Sequence, residues 1–179
     1  FIGFLTAGDP TLDKTEEFVM EMVDAGAGLI ELGIPFTDPI ADGPVIQEAN
    51  IRALEAGCTT DKIFDMVASL RKKTDVPIVF LGYLNTMFVY GYEKFCKRCQ
   101  ECGVDGLIVP DLPYEEKGEL VPIAKAHGVD VITMIAPTSK QRIEMLAKEA
   151  TGFIYVVSSM GVTGARSEIK TDLAEIVEV

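Results

Sequence analysis

The sequence alternates short apolar runs with longer segments of helical period, and this alternation restricts its fold more than any other feature. The runs have the length of buried strands, and the segments between them place apolar residues every three or four positions. Parallel strands require such crossover segments, so the pattern predicts a parallel sheet covered by helices. The predicted strands are residues 1–6, 29–33, 77–82, 106–110, 130–135 and 153–157.

Helix ends followed by glycine and a strand recur along the chain, as in AGAGLIELGIP, CGVDGLIVPDLP and HGVDVITMIAP. Glycine adopts the left-handed conformation that ends many helices, so each copy predicts a stop followed by a buried strand. This regularity favours an α/β fold of the (β/α)8 TIM barrel type over an open doubly wound sheet. The predicted helices are residues 14–25, 45–55, 61–73, 92–102, 115–127 and 140–150, with a further one beginning near Asp172.

About six of the eight βα units of such a barrel can be counted in the 179 residues. We therefore expect residues 1–179 to form a single (β/α)-barrel domain that is truncated at both ends and lacks strands 7 and 8.

The charge of the chain bears on its partners. Its 16 Lys and Arg against 28 Asp and Glu give a net charge of −12, which argues against binding to nucleic acid or to an anionic membrane. No apolar run has the length of about 18 residues that a membrane span requires, and no secretory signal opens the sequence. These features predict a soluble, cytoplasmic protein. A small anionic substrate stays possible, because backbone N–H groups bind phosphate without lysine or arginine.

Three of the four cysteines follow the spacing Cys96-x-x-Cys99-x-x-Cys102, which opens the iron–sulfur motif of bacterial ferredoxins. The fourth ligand and its proline are missing, and the three thiols fall on one face of a predicted helix. We therefore interpret them as buried structural thiols and predict no metal site.

Glu31 lies within the second predicted strand, among apolar residues. Burial there removes water from the carboxylate and raises its pKa towards the range that suits general acid–base catalysis. The alternative is a glutamate paired structurally with a lysine or arginine inside the barrel. No basic residue occurs between Lys14 and Arg52, so such a partner would have to be distant in sequence.

Two further loops follow predicted strands, at the rim where barrels have their active sites. The loop of residues 34–44 stiffens its backbone with prolines around Asp38 and Asp42, although an ordinary turn-rich crossover has the same composition. The loop of residues 158–170 contains Gly164 and small hydroxyl residues, and it predicts either a mobile lid with a phosphate-binding amide or a plain connection.

The blocks FLTAGDP, ELGIPFTDPIADGPVIQEAN, GYLN, DLPYEE and SSMGVTGA occur in this order across the chain. Together they resemble the tryptophan synthase alpha subunit family. The resemblance implies a lyase of tryptophan biosynthesis that performs a retro-aldol cleavage of indole-3-glycerol phosphate to indole and glyceraldehyde 3-phosphate.

The resemblance also implies roles for particular residues. Glu31 matches the catalytic acid–base of the family, Asp42 the aspartate that binds the indole N–H, and Tyr155 a tyrosine near the catalytic glutamate. Phe4 and Tyr83 match positions that line the indole pocket. Further matches are the lid threonine, Thr163, and a phosphate-binding amide, Gly164. No role is implied for Ser159 and Met160, where many relatives carry a basic residue in the lid.

The family needs no metal or organic cofactor for this reaction. It works with a beta subunit, which carries pyridoxal phosphate, in an alpha2-beta2 heterotetramer, and the loop of residues 34–44 lies near that interface in relatives. The resemblance thus implies the beta subunit as partner.

Two other interpretations remain open at this stage. One is another phosphate-sugar barrel, such as an isomerase or a Schiff-base aldolase, although no predicted strand supplies the lysine that the aldolase needs. A non-enzymatic alternative is a protein that chiefly activates a partner subunit, with weak catalysis or none.

Overall fold

The structure, a computed structural model, describes residues 1–158, 161–164 and 173–177. Five strands form one parallel sheet in chain order, and two more form a short parallel sheet that continues it. The strands are β1 (Ile2–Thr6), β2 (Leu29–Gly33), β3 (Ile78–Leu81), β4 (Gly106–Ile108), β5 (Asp130–Val131), β6 (Thr133–Ile135) and β7 (Ile154–Val156). Consecutive strands are therefore also neighbours in space, as a (β/α) barrel requires.

Helices connect the strands and cover the outer face of the sheet. They are α1 (Leu12–Asp24), α2 (Pro44–Glu55), α3 (Thr60–Leu70), α4 (Leu84–Tyr90), α5 (Tyr92–Cys102), α6 (Val121–Ala126), α7 (Lys140–Glu149) and α8 (Leu173–Val177), with a 3-10 turn at Tyr114–Glu116. Threonine or serine side chains accept the first-turn N–H groups of α1, α3 and α7, so these helices begin where the sequence offers a cap.

The predicted strand 130–135 is two strands, β5 and β6. β5 pairs with β4, whereas β6 pairs with β7, and Ile132 between them still donates its N–H to the Leu107 carbonyl at 2.8 Å. The chain thus changes partner without a turn, which lets the sheet curl towards closure.

The sheet has two apolar faces, because parallel strands in this fold are buried on both sides. On the outer face, Ile30, Leu32 and Phe80 pack with the helices in the main core. On the inner face, Val79, Ile108 and Ile132 form a separate buried cluster. Glu31 lies in strand β2 between Ile30 and Leu32, so its side chain points to the inner face.

A cluster of aromatic rings holds the sheet against α3 and α5. Phe64, Phe80 and Phe95 are fully buried, with ring centroids 5.2 to 6.4 Å apart in tilted or edge-to-face arrangements. Such arrangements are favoured by the ring quadrupoles. Cys96, Cys99 and Cys102 on α5 are buried free thiols beside this cluster, as the interpretation of structural thiols predicts.

One helix prediction was wrong, and one helix was missed. Residues 115–127 do not form one helix, because residues 117–120, which include Gly118, separate the 3-10 turn from α6, and Pro122 lies in the first turn of α6. Helix α4 was not predicted. Its first N–H, that of Leu84, donates to the carboxylate of Asp111 at 2.9 Å, and Asp111 follows the next strand, β4. Among the described residues, no helix is long and apolar enough to cross a membrane.

Replacing Phe80 by alanine should lower the free energy of unfolding by about 3–5 kcal/mol, because it opens a cavity among the buried rings. The matched control is Phe88→Ala, since Phe88 is 63% exposed and its loss should cost less than about 0.5 kcal/mol. Urea denaturation of the two variants tests this expectation. Equal losses would show that the aromatic cluster is not part of the stabilising core.

Candidate active site

Glu31 occupies the centre of the inner face. Its Cα pairs in register with Phe4 on β1 and with Val79 on β3, and the residue is 6% exposed. Burial raises the pKa of this carboxyl group to about 7, because the charged form loses its hydration. No lysine or arginine among the described residues forms an ion pair with it, so the alternative of a structurally paired glutamate finds no support in this part of the chain.

Tyr155 on β7 faces the same interior. Its ring packs against the cluster of Val79, Ile108 and Ile132. The pKa of its phenol is raised first by burial and second by the negative charge of Glu31. Glu31 and Tyr155 therefore lie within electrostatic range of each other, although the four strands β3 to β6 lie between theirs along the chain.

Phe4 lies beside Glu31 at the rim. Gly33, two positions beyond Glu31, provides the space for its ring, because a Cβ on Gly33 would be only 2.9 Å from the Phe4 Cζ. The ring is partly buried and forms an apolar wall next to the carboxylate.

Asp42 lies in the loop between β2 and α2 and is also 6% exposed. Burial raises the pKa of its carboxyl group, while hydrogen bonds from the side chains of Tyr83 and Asn50 act in the opposite direction. Gln47 donates its side-chain amide to the Asp42 backbone carbonyl at 2.7 Å. The loop is thus fixed around Asp42 by polar contacts from both the end of β3 and helix α2.

Tyr83 is 2% exposed and serves this loop through both its ring and its hydroxyl. The ring stacks on Phe36 with centroids 5.3 Å apart, and the hydroxyl oxygen accepts the Ala41 N–H at 2.9 Å. Burial, together with the neighbouring negative charges, raises the pKa of the phenol to about 12, so it remains protonated and donates to Asp42.

Sequence reasoning missed Asn50 and Gln47, which contact Asp42 from α2. Both belong to the block ADGPVIQEAN, but their spacing of three marks only one face of a helix. The available signal was an asparagine on the apolar face of the helix. Asn50 is 5% exposed, whereas asparagine is mostly a surface residue.

Thr163 docks on the loop at both sides of Asp42. Its hydroxyl oxygen accepts the Gly43 N–H at 2.9 Å, and its own N–H donates to the Ala41 carbonyl at 3.0 Å. Only glycine at position 43 allows this approach, because a Cβ there would lie 1.9 Å from the Thr163 carbonyl oxygen. Gly164 is exposed, with open space beside it. The remaining lid positions, Ser159, Met160 and 165–170, lie outside the described residues.

A cleft of about 340 Å³ opens elsewhere, between α6, α7 and the strands near Ile132. Apolar side chains such as Val109 and Leu146 line it, together with Lys117 and Glu149. None of the predicted site residues takes part in it, so its size carries no weight in locating the chemistry.

The sequence profile of the tryptophan synthase alpha chain family matches residues 1–179. The chain belongs to this family.

Among curated members of the tryptophan synthase alpha chain family, the chain from Lacticaseibacillus casei is 54% identical over 177 residues, which cover 99% of this chain and 66% of that one. The chain from Alkaliphilus metalliredigens is 52% identical over 172 residues, covering 96% of this chain and 65% of the relative. This chain therefore spans slightly less than two thirds of the length of these relatives.

Solved structures of tryptophan synthase alpha chains confirm the predicted fold class. The alpha chain from Legionella pneumophila superposes with a TM-score of 0.82 at 39% identity, over 87% of this chain and 59% of that one. The structure described for the tryptophan synthase a2b2 complex from Pyrococcus furiosus gives a TM-score of 0.84 at 40% identity, over 89% and 68% of the two chains. The strands described above are thus part of a TIM barrel.

In this member of the tryptophan synthase alpha chain family, Thr163→Val should speed amide hydrogen exchange of Gly43 about tenfold, because valine keeps the shape of threonine but lacks the acceptor oxygen. Thr163→Ser keeps that oxygen and is the matched control. Exchange followed by NMR distinguishes the two. If the Gly43 amide is equally protected in the valine and serine variants, the Thr163 hydroxyl does not accept the Gly43 N–H.

Proposed function

We propose that this protein is a lyase that cleaves indole-3-glycerol phosphate to indole and glyceraldehyde 3-phosphate in tryptophan biosynthesis. The single observation that carries the proposal is the buried carboxyl group of Glu31, whose pKa of about 7 suits proton transfer at neutral pH. Membership of the tryptophan synthase alpha chain family supports the choice of substrate.

The cleavage requires two proton transfers. A proton is added to the indole ring carbon that bears the side chain, and another is removed from the adjacent side-chain hydroxyl. The carbon–carbon bond then breaks, the hydroxyl carbon becomes the aldehyde, and the bonding electron pair neutralises the positively charged ring. With a pKa of about 7, Glu31 is present in both protonation states near neutrality, so it is suited to move these protons.

Asp42 would stabilise the positive charge that develops at the indole nitrogen. A carboxylate held in place before the reaction stabilises such charge without reorganising. Burial raises the pKa of Asp42 as well, but donors from Tyr83 and Asn50 oppose that rise and favour the ionised form, whereas no such donors among the described residues oppose the effect of burial on Glu31. The two carboxyl groups thus have different surroundings and can divide the chemistry.

The remaining predicted residues would bind the substrate around these two groups. Phe4 offers an apolar wall for the indole ring, and Tyr155 faces Glu31 across the interior. Tyr83 would act through Asp42 as well as by lining the pocket. We assign to Thr163 the closing of the loop of residues 158–170 over Asp42, and to Gly164 the binding of phosphate through its amide.

The proposed reaction uses acid–base and electrostatic groups of the protein, so we propose that it needs no metal or organic cofactor. Pyridoxal phosphate would belong to the partner beta subunit. We place the protein in the cytoplasm, where this biosynthesis would occur.

We further propose that the protein binds a tryptophan synthase beta subunit in an alpha2-beta2 complex. Two pairs of apolar side chains support this. Ile40 and Val45 are 74% and 73% exposed beside Asp42, and Phe88 and Val89 on α4 are 63% and 76% exposed. Both pairs follow the carboxyl ends of neighbouring strands, β2 and β3, so they lie at one rim. Exposed apolar side chains grouped in this way are typical of partner surfaces.

Glu31→Gln should lower the rate of indole release by about a hundredfold to ten-thousandfold, because glutamine keeps the shape of the side chain but cannot transfer a proton. The assay uses the full-length protein that carries these residues, with and without a tryptophan synthase beta subunit. Glu48→Gln is the matched control, since Glu48 is exposed on α2.

Near-normal release by folded Glu31→Gln would contradict the assignment of Glu31. No release by the unaltered protein under either condition would contradict the lyase proposal itself. A rate that does not respond to the beta subunit would contradict the proposed partnership.

A further inference from the structure

Asp42 is held by helix α2 as well as by the end of β3, and the contact from α2 is unusual. The side chain in question, Asn50, is one of only a few buried polar residues of the described chain, at 5% exposure. It lies between the buried residues Ala49 and Ala53 on the inner face of α2, where an apolar side chain would be expected. Burying an amide is costly unless it makes hydrogen bonds, so its position requires an explanation.

We propose that Asn50 is a positioning residue, which orients the Asp42 carboxylate towards the indole nitrogen; this role rests on the proposed lyase function.

The geometry of α2 makes this contact possible. The helix begins at Pro44, two residues after Asp42, and helical side chains lean towards the helix N-terminus, so side chains of its first two turns can reach back to the loop. Gln47 and Asn50 are three positions apart and thus share a face. Gln47 donates to the backbone carbonyl of Asp42 at 2.7 Å, and the amide of Asn50 lies near enough to the Asp42 carboxyl group to lower its pKa. One helix face therefore fixes both the backbone and the carboxylate of Asp42.

The direction of the Asn50 contact follows from its chemistry. An ionised carboxylate only accepts hydrogen bonds, so the amide nitrogen of Asn50 must be the donor. Its effect on Asp42 agrees, because this bond lowers the pKa of the carboxyl group against the opposing effect of burial. Donors around a carboxylate favour its charged form, which is the form needed beside a positive indole nitrogen.

Tyr83 completes the arrangement from the other side. Its hydroxyl accepts the Ala41 N–H and donates to Asp42, so both of its hydrogen-bonding functions are committed within the loop. A carboxylate offers about four acceptor positions, so two protein donors leave room for a substrate N–H. The two donors come from different elements and restrict rotation of the carboxylate more than either would alone.

The titratable groups near this carboxylate are those of its neighbours. The Tyr83 phenol faces it from the end of β3, and the charge of Asp111, after β4, acts on Tyr83. Asn50 on α2 is not titratable. Replacing Asn50 by an uncharged side chain without a donor should therefore alter the titration of Asp42 without adding or removing a charge.

The test compares Asn50→Leu with Gln47→Met in the full-length protein. Leucine has the same branching and number of side-chain heavy atoms as asparagine, although it is larger, and it has no donor, so it fills the site while removing the bond to the carboxylate. Methionine at position 47 removes the bond to the backbone carbonyl only. The titration of Asp42 is followed by NMR of protein labelled with 13C at the aspartate carboxyl groups, and Asp42→Asn assigns the signal. Steady-state indole release is measured over the same pH range.

In Asn50→Leu we expect the titration of Asp42 and the acid limb of kcat/KM to move to higher pH. We also expect kcat/KM to fall about tenfold to a hundredfold at neutral pH, mainly through kcat, since a donor to a charged group is lost. Gln47→Met should leave the titration of Asp42 in place. Asn50→Asp, which keeps the shape but adds a like charge, should move it to higher pH as well.

An unchanged titration of Asp42 in folded Asn50→Leu would overturn the inference, because a packing role alone would give that result. An unchanged kcat in Asn50→Leu, with indole release by the unaltered protein, would also overturn the inference. The lyase proposal would then stand without a positioning role for Asn50. If the unaltered protein releases no indole but the titration moves, the control of Asp42 by Asn50 is supported, and the proposed function fails separately.

Discussion

The parallel register of β1, β2 and β3 sets Phe4, Glu31 and Val79 side by side on the inner face of the sheet. Side chains alternate between the two faces of a strand, so a slip of one residue would turn Glu31 outward among the helices. The apolar outer face prevents such a slip, because Ile30 and Leu32 are fully buried against those helices. The position of the carboxylate, and the raised pKa of Glu31 that follows from it, therefore depend on the packing of its two neighbours.

Asp42 reaches the same rim in another way. Its loop has no regular structure, yet Tyr83, Asn50, Gln47 and Thr163 bond it or the residues beside it. A buried loop must satisfy its polar groups, and these side chains do so while holding the carboxylate. Desolvation thus dominates at Glu31, whereas hydrogen-bond donors oppose it at Asp42. The distinction is what allows two carboxyl groups at one rim to serve different steps.

Much of the fold follows from local sequence patterns, and the exceptions have non-local causes. Each of the six apolar runs that predicted a strand contains at least one in the structure, and Glu31 was identified from its place in one of these runs. Helix α4 could not be predicted from its own residues, because its first turn is bonded by Asp111, which follows the next strand. The division of residues 130–135 depends on which strands flank each half. The role of Asn50 depends on its contact with Asp42, in the loop that precedes α2.

Burial in the barrel interior gives Glu31 a pKa suited to proton transfer, and titration of its carboxyl group tests this directly. The titration is followed by NMR in full-length protein labelled with 13C at the glutamate carboxyl groups, with Glu31→Gln to assign the signal. We expect a pKa of about 7. Titration near the ordinary value of 4.5 would show that the carboxylate is hydrated and would contradict the role of burial.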